Sequence, residues 1–142
     1  MSEIWHRRPV AADIDKYHED TAVEHLGITF TEIGDDYLCA RMPTDTRTRQ
    51  PYGTVHGGVN MVLIETLASV GAAHCVDPEK FRVFGQEING NHLRPNYEGW
   101  VTGTARPVHI GRQSQVWAVE VRNEAGKLTC IGRMTMAAVA VG

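Results

Sequence analysis

The chain is expected to form an α+β domain in which one long central helix is wrapped by a mostly antiparallel β-sheet, and three stretches predict this. The stretch from Gln50 through Cys75 opens on turn residues and passes Gly57 and Gly58. It then continues as a run of good helix formers whose only formally charged residue is Glu65. A helix that is apolar on most sides belongs in an interior, so the rest of the chain has to cover it. Before it, Ile28–Met42 alternates like a β-hairpin; after the breaker Asp77-Pro78-Glu79-Lys80 come four β-like runs joined by short turns.

Taken in order, Asp13–Leu26 sets apolar Ile14, Tyr17, Val23 and Leu26 among charges, as a short amphipathic helix or turn does, and Gly27 ends it. Ile28–Ile33 alternates with period two, Gly34-Asp35-Asp36 supplies a turn, and Tyr37–Met42 resumes the pattern. Pro43–Arg49 is a polar loop leading into the helix motif, a placement at which loops often carry function. The later β-runs are Val83–Leu93, Gly99–Ile110, Gln113–Arg122 and Leu128–Val141. Short turns usually join antiparallel neighbours, so these runs are expected as a four-stranded meander.

Size and composition limit the possibilities. With 142 residues, 42% hydrophobic and 22% charged, residues 1–142 are expected as a single domain with one core. The balance of 14 basic and 17 acidic residues, net −3, disfavours a nucleic-acid partner. Cys39, Cys75 and Cys130 are far apart and in no CxxC arrangement, which suggests reduced thiols and neither zinc nor a disulfide framework. Arg7 and Arg8 lack the apolar run of a signal peptide behind them, and no segment has the ~20 apolar residues of a membrane span. A soluble, cytoplasmic protein without a membrane or nucleic-acid partner is expected.

The chemistry gathers at the helix. Its first amides, at Gly57 and Gly58, lack intrahelical acceptors and sit at the positive end of the helix dipole, where an oxyanion can be held. Gln50 and His56 flank the same entry, the first with both a donor and an acceptor, the second able to exchange a proton. Glu65 and Ser69 lie four apart on one face, so the hydroxyl can orient the carboxylate or a water beside it. A buried Glu65 would be a nucleophile or general base whose hold on its proton desolvation strengthens, or simply a structural carboxylate with a local hydrogen bond. At ~1.5 Å per residue, Gly57 and Glu65 stand about 12 Å apart along the helix. An attacking group must come within ~3 Å of the reacting carbon. If both residues serve one reaction, they come from different subunits, and a symmetric dimer with antiparallel helices satisfies that twice.

Gln50-Pro51-Tyr52-Gly53, Val55-His56-Gly57-Gly58, Leu63–Ser69 and Glu87-Ile88-Asn89-Gly90-Asn91-His92 together resemble the hot-dog-fold thioesterases. The similarity runs from Ile28 through the last strand and points to the PaaI-like branch of glutamate-type 4-hydroxybenzoyl-CoA thioesterases and 1,4-dihydroxy-2-naphthoyl-CoA hydrolases. The resemblance implies hydrolysis of an acyl-CoA or acyl-carrier-protein thioester, with an aromatic acyl group the first expectation. It implies a homo-oligomer, a tetramer built as a dimer of dimers with active sites between subunits. It makes Glu65 the nucleophile or general base, and Gln50 with the Gly57 N–H the group that polarises the thioester carbonyl. His56 would support the loop and Ser69 would assist the glutamate. It places CoA contacts at His92, Leu93 and Arg94 and at the turn His109-Ile110-Gly111-Arg112, with Gly85 bordering the pantetheine channel. The two arginines suit phosphates, and Gly111 lets backbone come close. No cofactor or metal is implied, CoA being part of the substrate.

Val59, Asn60 and Ile64 stand where relatives carry small residues, and His74 stands where an aromatic is common. Such changes would alter the volume or polarity of an acyl pocket. Two other activities fit a scaffold of this kind: a non-catalytic acyl-CoA-binding or sensor domain, and a hydratase, which would leave the thioester intact.

Overall fold

The computed structural model describes residues 2–142. Two short helices, α1 (Ala11–Tyr17) and α2 (Ala22–His25), stand where one helix or turn was expected. The hairpin follows as β1 (Thr29–Ile33) and β2 (Leu38–Pro43), then α3 (Gly57–His74), β3 (Phe81–His92), β4 (Trp100–Ile110), β5 (Ser114–Asn123) and β6 (Leu128–Ala140). The six strands form one sheet in the order β1-β2-β4-β5-β6-β3, and every neighbouring pair is antiparallel.

The order corrects the expected meander. β3 does not pair with β4; it lies at the far edge and pairs along its length with β6, Phe81 opposite Ala140 and His92 opposite Cys130. The segment after β3 is what redirects the chain. The Leu93 and Arg94 N–H groups both donate to the Thr129 carbonyl, at 2.8 and 3.2 Å, which ties the end of β3 to β6. Pro95 cannot donate to a ladder. Asn96 then bonds across to the other side, its Nδ2–H to Thr44 Oγ1 at 2.7 Å and its N–H to Thr54 Oγ1 at 2.9 Å. Three strand spacings of ~4.8 Å separate β3 from β4, a gap of about 14 Å that a few extended residues cross.

α3 packs against the inner face of the sheet from β2 across to the edge strand β3. Leu63, Ile64 and Leu67 are fully buried there with Trp117, Val119 and Met134, each large side chain contributing about 1.5–3 kcal/mol of burial. Two glycines let the helix come this close. A Cβ at Gly103 would stand 2.5 Å from Leu67 Cδ1, and one at Gly132 2.7 Å from Ile64 Cδ1. Past the helix, the buried Gln115 holds the layers in register. Its Nε2–H donates to the Ala72 carbonyl at 3.2 Å, and its Oε1 accepts from Trp117 Nε1–H at 2.9 Å. Trp5 stacks on Trp117 at 6.3 Å, closing the core from the N-terminal side.

The side of α3 turned from the sheet is only partly covered, and Glu65 is exposed at the flank of the helix next to Gly85 of β3. The desolvation expected for Glu65 therefore does not occur within one chain. No helix of the described residues is long and apolar enough to cross a membrane.

Candidate active site

The loop before α3 is held on three sides. The Thr48 hydroxyl donates to the Pro43 carbonyl at 2.7 Å, the His56 N–H donates to the Thr48 carbonyl at 2.8 Å, and the Val55 N–H donates to the Asn96 carbonyl at 3.0 Å. This fixes where α3 begins. His56 is its N-cap, accepting at Nδ1 from the Gly58 N–H at 2.9 Å. The bond needs a bare Nδ1, so the ring proton sits on Nε2. The Val59 and Asn60 N–H groups both reach the His56 carbonyl, at 3.0 and 3.1 Å. Of the first-turn amides only Gly57's has no acceptor among the described residues. Two glycines were expected to offer several open amides; the structure leaves one, because His56 caps the other.

Gln50 is similarly committed on one side. Its Oε1 accepts from the Tyr52 N–H, which leaves the side-chain NH₂ as its free function. Gln50 and Gly57 line one cavity of about 360 Å³ together with Asn60, His92, Leu93 and Arg94. His92 packs against Gly57 so closely that a Cβ on Gly57 would stand 2.8 Å from His92 Nε2. Asn60 is 7% exposed, and its Oδ1 is the one buried side-chain oxygen or nitrogen without a hydrogen-bond partner among the described residues.

Glu65 and Ser69 lie elsewhere. They line a second cavity of about 330 Å³ with Val62, Thr66 and Val70 of α3 and His18 from the end of α1. The two cavities share no residue, as the spacing along the helix requires. Ser69 makes no hydrogen bond to Glu65; the two share a cavity wall. Gly85 is close to this carboxylate: a Cβ there would stand 3.2 Å from Glu65 Oε2 and 2.3 Å from Met134 Cε. β3 carries a bulge between Gly85 and Glu87, which re-aims the strand where it passes Glu65.

The residues expected to touch CoA are split within one chain. His92, Leu93 and Arg94 border the Gly57 cavity, and Arg94 Nη1–H donates to the Leu128 carbonyl at 3.0 Å. His109, Gly111 and Arg112 line a third cavity of about 810 Å³ beyond the other end of α3, with Cys75, Asp77 and Phe81. Ile110 is exposed next to it, and Arg112 has no ion pair among the described residues.

Cys130 Sγ lies 3.6 Å from His92 Nδ1, which on geometry alone resembles a thiol nucleophile and its base. Burial argues against that role, because it pushes the Cys130 thiol up, and pushes Cys75 up to about 12. Both thiols stay protonated at neutral pH. His18 escaped the sequence reading: it sits in an amphipathic stretch whose polar positions look solvated, and only the fold carries it to the cavity of Glu65. Asn60 was noted as a departure, without a sign that it would be unpartnered.

Residues 52–130 match the family model described as the thioesterase superfamily. The chain is 43% identical over 134 residues to 1,4-dihydroxy-2-naphthoyl-CoA hydrolase of Escherichia coli, a match covering 94% of this chain and 98% of that protein. It is 42% identical over 134 residues to the proofreading thioesterase EntH of Cronobacter sakazakii, covering 94% and 97%. A crystal structure of a mutant thioesterase from Pseudomonas aeruginosa superposes with a TM-score of 0.96 at 38% identity, covering 98% of this chain and all of that one. With a hot-dog sheet around its central helix, the chain belongs to the thioesterase superfamily and is a thioester hydrolase.

Proposed function

We propose that the protein hydrolyses an acyl-CoA or acyl-carrier-protein thioester, an aromatic acyl group being the first choice, at sites shared between two copies of the chain. The observation that carries this reading is the pair of free donors in one cavity, the Gly57 N–H and the Gln50 NH₂, with the carboxylate in another. Two donors converging on one oxygen stabilise the charge that a thioester carbonyl acquires on attack. Gln50 and Gly57 of one copy would hold that oxygen, and Glu65 of the other copy would reach the carbon.

Two routes fit. The Glu65 carboxylate adds to the carbonyl carbon and expels the thiolate as an anhydride forms, which water then cleaves. Alternatively, Glu65 takes a proton from water, whose hydroxide adds, and collapse expels the thiolate. Both place the same oxyanion on Gly57 and Gln50. His56 supports the loop through its cap, Ser69 assists the carboxylate or its water, and water is the only co-reactant. The similarity to a 1,4-dihydroxy-2-naphthoyl-CoA hydrolase supports an aromatic acyl group on CoA.

The edge of β3 supports the pairing of copies. β3 bonds only to β6, so its outer edge is unpartnered along twelve residues, and a two-fold axis there would join two sheets and set the α3 helices antiparallel. A tetramer would follow from two such dimers. His92, Leu93 and Arg94 on one side, and His109, Gly111 and Arg112 on the other, with Gly85 between, would then follow the CoA arm. Residues 1–142 would act as a single domain in the cytoplasm.

Free-thiol release from aromatic and aliphatic acyl-CoA thioesters, compared between the wild type and Glu65→Gln, tests the proposal. Glu65→Gln is expected to lower turnover by about 10³-fold or more with the fold unchanged by circular dichroism. Wild-type turnover in Glu65→Gln overturns the role of Glu65. Tight acyl-CoA binding without release by either protein identifies a binding domain instead.

A further inference from the structure

The second cavity has one wall that does not come from α3, and that wall is His18. Val62, Glu65, Thr66, Ser69 and Val70 are spaced so that they form one stripe of the helix; His18 faces them from the end of α1. The imidazole is held firmly. Its Nδ1 lies 2.8 Å from the Ile14 carbonyl, and since a carbonyl only accepts, Nδ1 carries the proton. The ring stacks on the buried Phe30 at 6.3 Å with an interplanar angle of 17°, and Tyr17 meets its edge at 5.7 Å.

Holding the proton on Nδ1 leaves Nε2 of the neutral ring with a lone pair, and Nε2 has no hydrogen-bond or ion-pair partner among the described residues. The cavity thus combines two apolar side chains, Val62 and Val70, with an imidazole whose Nδ1 is committed and whose Nε2 is open. The Thr66 hydroxyl already donates to the Val62 carbonyl at 2.7 Å, so it does not supply the donor that Nε2 lacks. A flat apolar group bearing a hydroxyl on its far side matches this surface; the same group without the hydroxyl would displace water from Nε2 and return nothing.

We infer that His18 is a specificity-determining residue that accepts a hydrogen bond at Nε2 from a hydroxyl on the acyl group, so that the enzyme selects hydroxylated over unsubstituted acyl thioesters. The inference rests on the reading that the acyl group lies beside Glu65. It concerns recognition alone, since His18 takes part in no bond that forms or breaks.

The test is kcat/KM for benzoyl-CoA and for 2-, 3- and 4-hydroxybenzoyl-CoA, measured on the wild type, His18→Phe and His18→Gln. Phenylalanine keeps the stack on Phe30 and removes both ring nitrogens; glutamine keeps a polar atom near the Nε2 position. The wild type is expected to prefer at least one hydroxylated thioester over benzoyl-CoA by about 10-fold or more. His18→Phe is expected to bring that ratio down towards one, and His18→Gln to keep part of it. A merely structural His18 would depress all four substrates alike and leave the ratio as it was, which would overturn the inference. So would a wild type with no preference for any hydroxyl isomer. Thiol release without such a preference would leave the thioesterase reading standing, whereas no release from any thioester would remove that reading and the inference together.

Discussion

Gly57 and Gly85 are the positions at which one added methyl group tells most about the site. At Gly57 a Cβ would press on His92 Nε2 at 2.8 Å and push apart the wall that carries the free N–H. Gly57→Ala is therefore expected to lower kcat by about 10²–10³-fold, as loss of an oxyanion donor does, with little change in thermal stability. At Gly85 a larger side chain would collide with Met134 Cε and Glu65 Oε2, so Gly85→Val is expected to move the carboxylate; thiol-release assays on both variants check this. Cys75 gives a pH signature of a different kind. Its folded thiol holds its proton to about 12, against an ordinary value of 9.0. The unfolded chain ionises first, so the contribution is complete below pH 9 and is lost as pH rises towards 12. Urea melts of the wild type are expected to shift to lower midpoints over that range, and Cys75→Ala to flatten the slope. Gln50, Gly57 and Glu65 were readable because they fall within one short motif. The exposure of Glu65 was not, since a sequence shows an apolar helix and not which side of it the sheet leaves open.

At the level of elements, α3 was legible almost to the residue because a single uninterrupted pattern specifies it. Its cap was only half legible: His56 was seen as a loop support, while the bond from the Gly58 N–H to its Nδ1 depends on the path of the loop. His56→Ala should cost about 1 kcal/mol, lowering the melting temperature by a few degrees, and should reduce turnover by loosening the turn that presents Gly57. Differential scanning calorimetry alongside the thiol-release assay separates the two effects. β3 and β4 show where local pattern fails. Each strand was visible in the sequence, but their pairing is decided by Leu93, Arg94 and Asn96 bonding to opposite sides of the sheet, contacts that carry no periodic signal.

For the whole molecule, the separation of the two cavities makes shared sites testable by mixing. Two inactive variants, Gln50→Ala and Glu65→Gln, would each supply what the other lacks. In a mixed dimer one site carries both lesions and the other carries neither. Unfolding the two together and refolding them should restore about one quarter of wild-type activity, half of the dimers being mixed and each having one intact site. Activity that stays at the level of the separate variants would place Gln50 and Glu65 of one chain in the same site. The spacing of Gly57 and Glu65 already pointed this way; that the residues expected to touch CoA line two distant cavities did not emerge from it.

The pairing of β3 with β6 also governs the order in which the protein can be made. β3 follows the helix, yet its partner is the last strand, Leu128–Ala140. As the chain leaves a ribosome, α3 and β3 emerge long before the strand that completes the sheet, and the hairpin β1–β2 waits for β4. Closure of the core is therefore a late, non-local event, expected to be slow and close to the end of synthesis. Until then the apolar side of α3 is open, and a nascent chain stalled before Leu128 would present to chaperones a surface that the finished protein never shows.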